Sequence, residues 1–216
     1  ALPYMRLDLL QDDYVTAHNL DQIGRTEDLR FGTQLSAELG VSQAALGANR
    51  NAFVASLGAS RGYRLVHEQS LFLAGSWGSR LEGGSLRDSL LSVSSRYFWR
   101  ASGKTVLFVG FAADKGSALD LDHELMLGGD TGLRGYPLRY QTGTARALLT
   151  VEGRYFTNWY PLRLARVGAA VFADIGRTWG ASALAVPELG TLRDVGIGLR
   201  FGNTRSALGN VLHVDL

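Results

Sequence analysis

The chain has 216 residues, 27 glycines, four prolines, no cysteine and a formal net charge of +2. Disulfides and thiolate metal sites are excluded. So is the basic cluster of a nucleic-acid binder, because Lys104 and Lys115 are the only lysines and the arginines are scattered. Mean hydropathy is +0.01, and no run approaches the ~20 apolar residues of a membrane helix, although transmembrane strands need only ~9–11 residues of alternating polarity each.

Period-2 alternation recurs along the chain and predicts ten strands. The first is the run from Tyr4 to Leu10. No leader-like pattern precedes it, and the expectation is a portion of a longer protein. A polar stretch from Asp12 to Glu27 follows, long where a short turn is expected. Leu29, Phe31, Thr33, Leu35, Ala37 and Leu39 form the next apolar face. Further faces run through Phe53–Ala59, Leu71–Trp77, Leu91–Trp99 and Leu107–Phe111. After a glycine-rich interval come Leu149–Tyr155, Val167–Ile175, Val195–Phe201 and Leu212–Leu216. Connections are short at residues 66–68 and 101–104, and longer or irregular at 40–51, 82–87, the central glycine-rich loop and 180–190.

Alternation by itself fits a soluble sandwich or a membrane barrel. Two features favour lipid around the apolar face. The polar faces are rich in Gly, Ser and Ala with scattered Arg and acid, which suits a lumen. Aromatic residues also gather at strand ends, as interfacial girdles do: Tyr97, Phe98 and Trp99; Tyr155, Phe156, Trp159 and Tyr160; Trp179.

The central interval, Gly128-Gly129-Asp130-Thr131-Gly132-Leu133-Arg134-Gly135-Tyr136-Pro137, carries one cation and one ring in a stretch flexible enough to lie tightly against a wall. Glu152 and Asp174 fall on the polar sides of the next two strands. A guanidinium enclosed in a barrel needs such partners, and its fork matches carboxylates. The expected arrangement is a loop folded into the lumen and held by Arg134 on Glu152 and Asp174, against the plainer alternative of three lumen charges paired with whatever is nearby.

These motifs resemble the outer-membrane assembly and translocation superfamily, the BamA, TamA and two-partner secretion transporters. Its members carry a Gly-Gly lead and an aliphatic-Arg-Gly-aromatic tip in one loop, matched by Gly128-Gly129 and Leu133-Arg134-Gly135-Tyr136. An inward acid on the following strand is matched by Glu152, and a Phe-x-Asp-x-Gly motif on the next by Phe172, Asp174 and Gly176. The resemblance implies an all-β fold, an antiparallel transmembrane β-barrel. Residues 1–216 would form one barrel domain, strands six to fifteen of a sixteen-stranded parent, with the signature loop at 120–144. It implies a bacterial outer-membrane location and a non-enzymatic function, the insertion or translocation of polypeptides. The partners implied are the outer-membrane bilayer, unfolded or nascent polypeptide substrates and periplasmic accessory domains or proteins, and no nucleic acid. The anchor of a passenger such as a patatin-like lipase, a passive porin-like channel and a soluble β-sandwich binding module stay open as alternatives.

Catalytic patterns are weak. Gly58-Ala59-Ser60-Arg61-Gly62 has the letters of a nucleophile elbow but continues an alternating strand instead of a strand–turn–helix. His18, His67, His123 and His213 lack ligand spacing, and Asp120-Leu121-Asp122-His123-Glu124 lacks a calcium-loop glycine. Gly196 to Gly202 does not have dinucleotide-binding spacing and sits inside a strand. No enzyme, metal or cofactor is expected.

Overall fold

The computed structural model describes residues 3–120, 123–181, 189–203 and 211–216. Strand β1 spans Tyr4–Leu10, and β2 (Tyr14–His18) and β3 (Thr26–Arg30) form a hairpin apart from the main sheet. Then come β4 (Gln34–Ser42), β5 (Ala52–Arg64), β6 (Gln69–Glu82), β7 (Ser85–Arg100) and β8 (Thr105–Ser117). A small ribbon of β9 (Leu125–Leu127) and β10 (Gln141–Gly143) precedes β11 (Ala145–Phe156), β12 (Ala165–Trp179), β13 (Leu192–Asn203) and β14 (Val211–Asp215). Ten strands join in one antiparallel sheet in the order β1-β4-β5-β6-β7-β8-β11-β12-β13-β14. The fold is all-β, and the sheet is not closed.

Each alternating face is sorted as the pattern requires. Leu39, Phe53, Leu57, Val171, Val195 and Ile197 are exposed, and all lie on the convex side. Buried polar groups, Glu152, Asp174 and Arg200, lie on the concave side. The convex apolar row is thus exposed, while the concave side holds buried charges together with an apolar cluster around Phe98, Val106 and Phe156.

The sheet has two ends. One, called here the loop end, carries residues 118–144. The other, the turn end, carries the 101–104 and 157–164 connections and residues 11–33. The polar stretch from Asp12 to Glu27 is not a plain connection. It forms most of the β2–β3 hairpin, which enters the concave side from the turn end and buries Ala17, Leu20 and Ile23 against Phe98, Val106 and Phe156. Glu27 secures its tip by accepting hydrogen bonds from the amides of Leu20, Asp21 and Gln22. Room is made on the wall by missing side chains: a Cβ on Gly202 would lie 2.9 Å from Ile23 Cβ.

Three sequence expectations need correction. The face drawn through Leu29–Leu39 is divided between β3 and β4, because the backbone leaves the hairpin at residues 31–33 and only then joins the sheet. Residues 82–87 are not a long loop: Glu82 pairs with Ser85 across Gly83 and Gly84, both at positive φ (57° and 81°), the backbone of a tight hairpin turn. Phe98 and Phe156, at 2% and 4% exposure, point inward to hold the β2–β3 hairpin and do not belong to an outer girdle. Part of the 180–190 connection, residues 182–188, and residues 121–122 of the acidic run fall outside the described residues.

Candidate functional site

The loop between β8 and β11 is built on the β9–β10 ribbon at the loop end. Arg146 of β11 anchors it, donating from Nε to Asp114 (2.6 Å) and from Nη1 to the Met126 carbonyl (2.8 Å). Beyond the ribbon the chain turns inward. The Gly128 carbonyl accepts from the amides of Thr131 (2.9 Å) and Leu133 (3.2 Å), and the Tyr136 amide donates to the Leu133 carbonyl. Gly128 and Gly129 pass close to the returning limb, where a Cβ would fall 2.3 Å from Pro137 O and 2.8 Å from Tyr136 O. Leu133, fully buried at 0% exposure, packs with Leu127 and Leu192, and Tyr136, Tyr140 and Leu148 surround them. Apolar packing therefore sets the depth of the tip, and the charges below it set its position.

At that depth Arg134 meets both carboxylates expected of it. Its Nε donates to Asp174 Oδ2 (2.9 Å), and Nη2 reaches Asp174 Oδ1 (3.3 Å). Nη1 donates to Glu152 Oε2 (2.7 Å) and approaches Asp215 Oδ2 (3.4 Å). Its guanidinium carbon lies 3.6 Å from the centroid of the Phe172 ring, so the Phe of the Phe-x-Asp-x-Gly motif supplies a cation–π face. Gly176 of that motif leaves space for Leu127, whose Cδ1 would lie 3.1 Å from a Cβ there. Burial alone would lower the Arg134 pKa, but the hydrogen bonds to Asp174 and Glu152 outweigh it and raise it above the ordinary arginine value. The cation is permanent.

The tip is fixed to β13 as well. The Gly135 amide donates to Asp194 Oδ2 (2.8 Å), and a Cβ on Gly135 would lie 2.9 Å from Asp194 Cβ, so this position needs glycine. The Tyr136 hydroxyl donates to the Arg193 carbonyl (3.0 Å) and accepts from the Arg193 amide (3.3 Å). Each of Gly128, Gly129, Leu133, Arg134, Gly135, Tyr136, Glu152, Phe172, Asp174 and Gly176 thus has a contact in one connected assembly.

Sequence reasoning missed part of this assembly. Glu152, 3% exposed, is shared: besides Arg134 it pairs with Arg154 Nε (3.0 Å) and Arg200 Nη2 (3.2 Å). Arg200 also binds Asp215. Arg154 continues the chain of charges to the turn end, where its Nη1 donates to Asp21 Oδ1 (2.9 Å) and to the Leu20 carbonyl (3.1 Å) of the β2–β3 hairpin. Loop and hairpin are therefore joined through Arg134, Glu152, Arg154 and Asp21. The signal was present, since Arg154, Asp194, Arg200 and Asp215 all fall on polar sides of alternating strands. Alternation tells which face a residue takes, not which of several charges on that face meet.

Chemically, this is a clamp. Three guanidinium groups and three carboxylates neutralise one another in a space that excludes most water, an arrangement that holds only while every member is paired. Among the described residues no group of three or more His, Cys, Asp or Glu side chains is placed to hold a metal ion. No protein-family model matches the chain, and no curated protein is significantly similar to it.

Proposed function

We propose that the chain is the wall of a bacterial outer-membrane β-barrel that inserts or translocates polypeptides. The observation that carries this reading is the Arg134 clamp: a glycine-rich loop folded against the concave face of an apolar-outside sheet and fixed to Glu152 and Asp174 on adjacent strands. In this reading the convex leucines and valines face lipid, the loop end faces outward from the cell, and the clamped loop keeps the wall in its working curvature. Substrate strands pair with a sheet edge, which satisfies the backbone groups that lipid cannot. Catalysis has no part in it, and the partners are the bilayer, unfolded polypeptides and periplasmic accessory proteins. The loop and the hairpin occupy the concave side from opposite ends, which favours this reading over a passive pore.

The test is a charge exchange in the full chain, reconstituted in bilayers and assayed for insertion or passage of an unfolded barrel polypeptide. Arg134→Glu is expected to abolish activity, and Arg134→Glu with Asp174→Arg to restore part of it. Activity untouched by Arg134→Glu would sink the reading and leave a β-sheet wall of another purpose.

A further inference from the structure

Among the described residues most charges of the sheet face its concave side, but four cations do not. Alternation and register place Arg61, Lys115, Arg177 and Arg193 on the convex face, in line with the exposed leucines and valines. Among the described residues of the ten-stranded sheet the carboxylates take concave positions, Glu38, Asp114, Glu152 and Asp174 among them, so the convex face carries charge of one sign.

The positions are ordered. At the turn end, Tyr63 pairs through Leu71 with Tyr97, and Trp99 lies two residues farther along. Trp99 pairs through Leu107 with Gly153, and Tyr155 lies two residues farther. Tyr155 pairs through Ala169 with Leu199, and Phe201 lies two residues farther. Convex aromatic residues thus descend two residues for every two strands, a slope of ~35° at about 3.4 Å per residue and about 4.8 Å per strand, which is the strand tilt of a membrane barrel.

At the loop end the cations descend in the same sense. Lys115 pairs through Ala145 with Trp179, and Arg177 lies two residues below Trp179 on β12. Arg193, opposite Ile175, is two residues lower again, on β13. On β13 the two lines are Arg193 and Phe201, separated by ~27 Å along the strand and ~22 Å along the axis at that slope, close to the ~25 Å apolar band of such barrels. Between them Val195, Ile197 and Leu199 are 81%, 61% and 46% exposed.

We propose that Lys115, Arg177 and Arg193 form a binding surface for the phosphates of an anionic lipid in the leaflet at the loop end. This rests on the membrane reading above. The border of an apolar band is the headgroup layer, where long cationic side chains extend toward water and phosphate groups are found. Guanidinium forks take phosphate oxygens in pairs, and the lysine adds a mobile point charge. Arg177 also lies 5.7 Å from the Trp179 ring centroid, and that ring is 41% exposed at the same border, where indoles settle. Arg61 stands apart, 5.4 Å from the Tyr63 ring at the opposite border.

Native mass spectrometry of the full chain in a nonionic maltoside detergent tests the surface. The probes are bis-phosphorylated lipid A, its dephosphorylated counterpart and phosphatidylglycerol. Lipid A is expected to be retained about ten-fold or more over its dephosphorylated form, with phosphatidylglycerol between them and the preference reduced in high salt. The triple variant Lys115→Gln, Arg177→Gln, Arg193→Gln is expected to lose that preference, and Arg61→Gln to keep it. Equal retention of phosphorylated and dephosphorylated lipid by the unaltered chain overturns the proposal whether or not the triple variant folds. A preference that survives in the triple variant overturns it too. Partition into lipid without a phosphate preference removes this surface alone. A chain that stays dissolved without detergent removes the membrane reading with it.

Discussion

The loop at 128–140 and the hairpin at 11–33 enter the same concave space from opposite ends, yet they are held differently. The loop has a small apolar contact through Leu127 and Leu133 and rests on a cluster of buried charges. The hairpin buries Ala17, Leu20 and Ile23 on a floor of Phe98, Val106 and Phe156, and its ion pairs to the wall, Asp13–Arg64, Asp21–Arg96 and Asp21–Arg154, all use partly exposed aspartates. Apolar area gives attraction without a required orientation. A forked cation between two fixed carboxylates gives little net attraction after desolvation but tolerates only one placement. The element whose exact position matters most to the proposed function is the one fixed by charge.

The largest effect is expected at Arg134. Replacing it with alanine leaves buried Asp174 without its cation and takes from Glu152 one of its three, at a cost of ~3–5 kcal/mol, and glutamate should cost more. Limited proteolysis should then cut between residues 128 and 140 while the hairpin stays protected. Ile23→Ala should do the reverse, at ~2–4 kcal/mol for the cavity it leaves, exposing residues 11–33 to protease. If both variants open both regions, the two are one cooperative unit and the contrast drawn above fails.

A smaller effect measures their connection. Arg134→Ala and Asp21→Ala are expected to be non-additive by about 0.5–1 kcal/mol in urea unfolding, because both act on the Glu152–Arg154 link. In an Arg154→Ala background the two should add. The smallest effect is a pH dependence at the rim. Arg80 donates to Asp120 through two nitrogens (3.0 and 3.1 Å) and holds the Asp120 carboxyl below the usual carboxylate range. A depressed acid stabilises above its unfolded pKa and loses that contribution as pH falls through its folded value. Amide exchange near residues 117–120 should therefore rise only on acidification below the ordinary aspartate range, and Asp120→Asn should remove the dependence.

Much of this was legible in the sequence. Nine of the ten alternating runs became strands of the sheet, the tenth being divided between β3 and β4. The Arg134, Glu152 and Asp174 constellation was readable because the two acids stood on polar faces and the arginine in a motif-bearing loop. The hairpin was not. Its strands are five residues each, too short for alternation to rise above its polar composition. The three residues that anchor it, Ala17, Leu20 and Ile23, stand three apart, which is not the alternation that marks a strand. The inward turn of Phe98 and Phe156 was equally hidden, because an aromatic near a strand end reads as a girdle residue until something is known to lie beneath it.

The small side chains lining β4, β5 and β6 on the concave side (Ser36, Ser56, Gly58, Ser76 and Gly78) acquire a mechanical meaning beside the clamp. Guanidinium–carboxylate struts tie β11, β12, β13 and β14 to one another and to both inserts, whereas at the centres of β4 to β6 serines and glycines offer no such bracing, and Arg64 and Arg80 reach Asp13 and Asp120 only near the strand ends. The wall has a trussed half and a plain half. A change of curvature would be taken up in the plain half, as a hinge spread over three strands, and backbone amide exchange at the centres of β4–β6 should run ahead of that in β11–β13.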